Sequence, residues 1–303
     1  MPVPDFKTYC AILDGARAGR FALPAANVTS LTTANAVLRG LAESKADGII
    51  QISTGGGAFA SGTSLKDSAL GAISIAEHVH RVAERYPIYV ALHTDHCLKD
   101  KLDKFVLPLV AETEKRRAAG RPNLFTGHMF DGSNLSLQEN LDISAKLLER
   151  FAKNDLVLEI ETGAVGGEED DVVGDHAAKL YTTPEDTLEV ARRLNPIGGR
   201  YLLAATFGNV HGVYKPGHVK LRPKVLKECQ EAVVKAHGES GAILSRISRR
   251  LRFDTGGDSR SARLRRGENE CRYRYAVRVH ARSRCAHVQK LRWRAESRWR
   301  TRE

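Results

Sequence analysis

Strand-like and helix-like segments alternate through the first two thirds of the chain, and that alternation constrains the fold more than any other feature. FALPAANV (21–28), DGIIQIST (47–54), IYVALHTD (88–95), NLFTGHMFDG (123–132), LVLEIETG (156–163) and YLLAATFGN (201–209) read as six buried strands. Between them, TTANAVLRGLAES, LGAISIAEHVHRVAERY, KLDKFVLPLVAETEKRRAAG, LQENLDISAKLLERFAKN and PEDTLEVARRL carry apolar residues at three-to-four spacing. Ser136 with Glu139 has capping-box spacing, and Thr183 before Pro184 and Glu185 marks another helix start. Such alternation implies a parallel sheet. No GxGxxG follows the first strand, which counts against a dinucleotide-binding fold. Polar residues collect at the carboxyl ends of successive strands, where a (β/α)8 TIM barrel builds its active site. The expected fold class is therefore α/β, a (β/α)8 barrel. It is expected to be incomplete, because six strands are recognisable and a closed barrel of this kind has eight.

Charge divides the chain in two. From Gly241 to Glu303 there are 18 Arg, one Lys and six acidic residues, so this segment carries +13 of a total of +11 and residues 1–240 balance at −2. The body is an ordinary, mildly acidic protein, and the basic character belongs to the tail. Residues 241–303 show no sustained period of 3.6 or 2 and are expected to form an irregular Arg-rich tail. No run of eighteen apolar residues exists, and the opening MPVPDFKTYC has no basic stretch followed by an apolar one, so neither a membrane span nor a secretory leader is expected. The five cysteines are scattered and odd in number, which fits reduced thiols and a cytoplasmic location.

Acids and histidines concentrate at four strand ends. The third gives His93, Asp95 and His96, and the fourth His128 and Asp131. The fifth gives Glu159 and Glu161, followed by a Gly-rich loop with Glu168, Glu169 and Asp170. The sixth runs into Asn209-Val210-His211-Gly212. Imidazole nitrogen and a neighbouring carboxylate are common zinc ligands. Each feature also has a plainer reading. A lone strand histidine is usually a core or surface residue. Asp95 can cap the next helix, Glu168 to Asp171 can be a solvated acidic loop, and Ser53 and Thr54 can be turn residues. Lys215-Pro216-Gly217 reads as a turn, and Cys97 beside His96 as a small buried thiol.

Taken together, ALHTDHC, HMFDGS, LEIETGAVGGEEDD, LLAATFGNVHGVYKPG, DGIIQISTGGGAFASG and VKLRP resemble the signature segments of class II, zinc-dependent fructose-bisphosphate aldolases of the longer subtype. Order and spacing agree from residue 1 to about residue 238. The resemblance implies reversible cleavage of fructose 1,6-bisphosphate in glycolysis and gluconeogenesis, with Zn2+ as cofactor, a second divalent metal or a monovalent cation in addition, and a homo-oligomeric assembly. It makes His96 and His211 zinc ligands and associates Asp131 and Glu161 with an alternate or second metal position. Asp95 becomes the acid/base for the aldehyde-side hydroxyl. Glu169, with Glu168 beside it, becomes the base that exchanges the carbon-bound proton. Ser53, Gly212 and Lys215 fall where the family contacts substrate phosphates or a monovalent cation. The chemistry suits these types: a divalent ion acts as Lewis acid at the ketone, and a carboxylate beside it moves a proton. Glycines at Gly55–Gly57 and Gly166–Gly167 allow close backbone approach and loop movement.

Two family segments do not follow. A His-Gly-Gly-Ser-Gly segment carrying a third zinc histidine belongs after the seventh strand, and an Asn-Val-Asp-Thr-Asp segment at the eighth. Both can be encoded one base out of frame. For a permitted choice of codons, Arg246–Thr255 with one base dropped gives Val-Phe-His-Gly-Gly-Ser-Gly-Ser-Thr. Glu268–Tyr275 at the same offset gives Lys-Met-Asn-Val-Asp-Thr-Asp. A frame slip between about His237 and Arg246 is therefore expected to account for the tail. The competing expectations are a tagatose-bisphosphate aldolase, an inactive truncated aldolase, and nucleic-acid binding through the tail arginines with Tyr273, Tyr275, Trp293 and Trp299.

Overall fold

The computed structural model describes residues 2–19, 21–163, 166–169, 172–174, 181–207, 210–211, 222, 224–238 and 244–246. Helix α1 (Phe6–Gly19) precedes strand β1 (Ala25–Asn27), α2 (Leu31–Glu43), β2 (Gly48–Ile52), α3 (Thr54–Ala60) and α4 (Ser68–Ala83). Next come β3 (Val90–Thr94), a 3-10 turn at Lys99–Lys104, α5 (Val106–Ala118), β4 (Gly127–Asp131), α6 (Leu137–Lys153) and β5 (Val157–Thr162). The hairpin β6 (Gly166–Glu169) and β7 (Val172–Gly174) leads to α7 (Pro184–Leu194), β8 (Tyr201–Ala205), β9 (Val210–His211), α8 (Lys224–His237) and β10 (Leu244–Arg246).

All six expected strands are present and parallel, in the order β1-β2-β3-β4-β5-β8, and β10 extends the sheet to seven. This is an α/β fold, an incomplete (β/α)8 barrel, with β1 and β10 as edges among the described residues. The seventh strand adds to the expected six. Its three residues lie inside the segment assigned to the tail and were too short for a period to show. A small second sheet, β7-β6-β9, also corrects the sequence reading, which had a Gly-rich loop at 166–169: Glu168 pairs with Val173 and Gly167 with His211. Among the described residues no helix is long and apolar enough to cross a membrane.

Period-two alternation sorts the strand residues onto two faces. Ile50, Ile52, Leu92, Phe130, Leu158, Ile160 and Leu203 join the main core under the helices. Ala91, Val157 and Leu202 face the other way and pack on Tyr9 and Leu13 of α1, which covers the inner face at the amino ends of the strands. Further along the same inner rows come Gln51, His93, Glu159 and then Glu161, so the inner face turns polar toward the carboxyl ends.

The caps explain where the helices begin. Thr183 and Asp186 form a capping box with Pro184 in the first turn, as the sequence indicates. Ser136 accepts from the Glu139 amide, but Glu139 itself pairs with Lys99 at 2.7 Å, a stronger partner than the cap backbone. Gly55–Gly57 belong to a helix rather than an open turn, capped by Ser53 at 3.1 Å from the Gly56 amide. Their approach is to α4: a Cβ at Gly57 would lie 2.2 Å from the Ser68 carbonyl oxygen, and one at Gly71 1.9 Å from that of Gly57.

Candidate metal centre and active site

Three strand ends converge on one cluster. Beyond β3 the chain stays hydrogen-bonded to β4, since the Asp131 amide donates to the Cys97 carbonyl at 2.9 Å, and this carries His96 to Asp131. Asp131 and Glu161 are register partners on β4 and β5. His96 Nδ1 consequently lies 3.0 Å from Asp131 Oδ2 and 3.2 Å from Glu161 Oε2. The three side chains are 18, 10 and 2% exposed. Asp131 Oδ1 accepts from the Ser133 amide at 3.0 Å, which leaves Oδ2 turned toward His96. Asn140 of α6 donates to the Glu161 carbonyl at 2.7 Å and holds the end of β5.

Burial opposes a charge on His96, but its hydrogen bonds with Asp131 and Glu161 outweigh that and hold its pKa well above the ordinary 6.5. Burial likewise raises Asp131, and contacts with His96 and Ser133 bring it below the usual carboxylate range. The three side chains thus form one buried, hydrogen-bonded cluster. One imidazole nitrogen and two carboxylate oxygens within 4.8 Å of one another also suit a divalent cation. An ion held tetrahedrally at about 2.0–2.2 Å needs ligand atoms about 3.3–3.6 Å apart, close to the spacing present.

Asp95 does not cap a helix; the next one begins after Leu98. Its Oδ2 accepts from Asn27 Nδ2 at 2.7 Å and its Oδ1 from Gln51 Nε2 at 3.1 Å. Sequence reasoning missed Asn27 and Gln51. The available signal was a lone amide within an apolar strand, in register with its neighbour: Asn27 pairs with Gln51, and Gln51 with His93.

The remaining expected residues separate. Ser53 sits at the carboxyl end of β2 as the α3 cap. His211 is on β9, its backbone beside Gly167, while Glu168 and Glu169 are on β6; the side chains of all three lie outside the described set. Gly212 and Lys215 fall outside the described residues, as does nearly all of 241–303. Cys97 is packed in the main core, and burial pushes its thiol up to about 12.

His128 belongs to the opposite face. It is fully buried, 5.1 Å from the Phe125 ring and 5.6 Å from that of Phe151, centroid to centroid. Burial, and then the neighbouring His93, drive its pKa well below 6.5. As pH falls through about 6.5 the unfolded chain takes up a proton here that burial opposes in the folded chain, so this site lowers stability toward acid pH and has no effect well above it. His128→Leu is expected to flatten the pH dependence of unfolding between about pH 6.5 and 5, followed by urea titration. Equal slopes in parent and variant would count against it.

Comparison with known proteins places this geometry. The fructose-bisphosphate aldolase class-II family matches residues 7–254. The chain belongs to the class II fructose-bisphosphate aldolases. The match runs past the point where recognisable motifs end near residue 238. A fructose-bisphosphate aldolase of Mycobacterium leprae is 47% identical over 268 residues, covering 84% of this chain and 78% of the relative. That of Streptomyces coelicolor is 52% identical over 241 residues, covering 79% and 70%. The crystal structure of fructose-bisphosphate aldolase from Campylobacter jejuni superimposes with a TM-score of 0.68 at 40% identity, over 77% of this chain and 66% of that one.

Proposed function

We propose that this aldolase cleaves fructose 1,6-bisphosphate reversibly to dihydroxyacetone phosphate and glyceraldehyde 3-phosphate, with Asp95 as acid/base beside a divalent, Zn2+-type centre. The observation that carries this reading is the His96, Asp131 and Glu161 cluster at the carboxyl ends of β3 to β5, with Asp95 next to His96 in sequence. A divalent ion held there supplies Lewis acidity at the substrate's ketone oxygen. Asp95, oriented through both oxygens by Asn27 and Gln51, takes the hydroxyl proton as the carbon–carbon bond breaks. Glu169, flanked by Glu168, exchanges the carbon-bound proton. Its strand and the one bearing His211, the second imidazole, belong to one small sheet, so their backbones keep a fixed relation. Ser53, Gly212 and Lys215 take the phosphates.

We infer that a slip of one base between about His237 and Arg246 accounts for the tail. Two hidden motifs in one alternative frame support it, as does the jump in charge after residue 240. Strand β10 adds a geometric reason. Arg246 is in register with Ala204, Ala204 with Glu161, and Glu161 with Asp131. A histidine two positions beyond residue 246 on a continued strand shares the face of the metal trio. As it stands, the sequence has no His-Gly-Gly-Ser-Gly segment, and among the described residues the sheet ends at β1 and β10, so cleavage is expected to be slow. A coupled assay with and without a chelator tests the activity. Slow cleavage that chelation abolishes and Zn2+ restores is the expected result; cleavage indifferent to chelator, or confined to tagatose bisphosphate, would refute it.

A further inference from the structure

The cluster and Asp95 leave one buried histidine–glutamate pair on the inner face that the proposed chemistry does not use. His93 stands two residues before Asp95 and Glu159 two before Glu161. Their side chains are 1 and 2% exposed, with His93 Nδ1 3.8 Å from Glu159 Oε2. They come from β3 and β5, which are not neighbours, because β4 runs between them. Gly127 of β4 is in register with His93, and a Cβ there would come within 2.7 Å of His93 Nε2. The missing side chain is what lets the ring reach across. His93 Nδ1 also donates to the Thr94 carbonyl at 2.7 Å, which fixes the ring. In its own row Glu159 is flanked by Met129 and Leu202, both buried and apolar. An acid in such surroundings is costly to bury unless its charge or its contacts are needed.

We propose that Glu159, seated by His93 across Gly127, is a positioning residue for the metal centre. The pair ties the strand that leads into His96 to the strand that carries Glu161, about 7 Å below the cluster along the strands. It sets the separation of His96 and Glu161. This rests on the reading of His96, Asp131 and Glu161 as a metal centre.

The test is Zn2+ affinity of the full chain, read by competition with a chromophoric chelator, in the parent, His96→Ala, Glu159→Gln, His93→Gln and the double variant. If the parent takes up no Zn2+, or His96→Ala binds as the parent does, the metal-centre reading itself fails and this proposal with it. If His96→Ala loses binding, Glu159→Gln is expected to bind about 10–100-fold more weakly while its melting temperature stays near the parent's. His93→Gln should do the same, and the double variant should lose no more than the weaker single one. Affinity within about twofold of the parent in folded Glu159→Gln, or fully additive losses, would overturn the proposal. Should Glu159→Gln fail to fold by circular dichroism, Glu159→Asp keeps the charge and shortens the reach. A tenfold or greater loss is then expected, and unchanged affinity would again overturn it.

Discussion

Deleting one base ahead of codon 246 is expected to raise fructose 1,6-bisphosphate cleavage by about 10³-fold or more in kcat/KM, because on the proposed reading of a slipped frame it would return a third imidazole and a substrate-binding strand together. Removal of a single preorganised stabilising group already costs about 10²–10³ in turnover. The added residues also cover exposed backbone: the sheet now stops at β1 and β10 among the described residues, and a sheet edge offers unpaired amides and carbonyls to any passing strand. The same edit should therefore reduce aggregation, which light scattering of the two purified chains would show. Equal kcat/KM in the two forms would mean that the tail performs the missing work and that no frame has been lost.

Asp95→Asn, made in the frame-restored chain where turnover is high enough to follow, is expected to lower kcat by about 10²–10⁴. The reason is specific to its partners. Asn27 and Gln51 both point amide N–H groups at this carboxylate, so an amide at position 95 sets donor against donor on one side. It also cannot accept the hydroxyl proton. Zn2+ binding should survive, since Asp95 is outside the trio that closes within 4.8 Å. Steady-state kinetics at saturating Zn2+, with metal content measured on the same sample, separate the two effects. A kcat within tenfold of the parent would remove Asp95 from the chemistry.

Local signals in the sequence were reliable where one element decides them. The six main strands, the Thr183–Pro184 helix start and the α7 span follow from short-range periodicity and caps. The Ser136 cap was legible too, yet its capping box was not completed, because Lys99 lies 40 residues away and no local pattern reports it. Strand β10 and the β6–β7 hairpin were missed because strands of three or four residues are held by neighbours rather than by their own period.

The candidate site divides in the same way. Sequence alone determined which residue types are available and, through motif resemblance, the family and the choice of Asp95, His96, Asp131 and Glu161 as proposed site residues. Residue types without the resemblance could not tell His96 from His128, since each stands near an acid toward the end of an expected strand. Only the sheet register decided that one meets two carboxylates while the other is shut between Phe125 and Phe151. Register likewise brought Asn27 and Gln51 to Asp95 and His93 to Glu159, over separations of 68, 44 and 66 residues. The physical reason is that a parallel strand's neighbour arrives after a whole crossover helix. Which side chains share a row is therefore fixed by how those helices pack, and by a glycine such as Gly127 that leaves the row open.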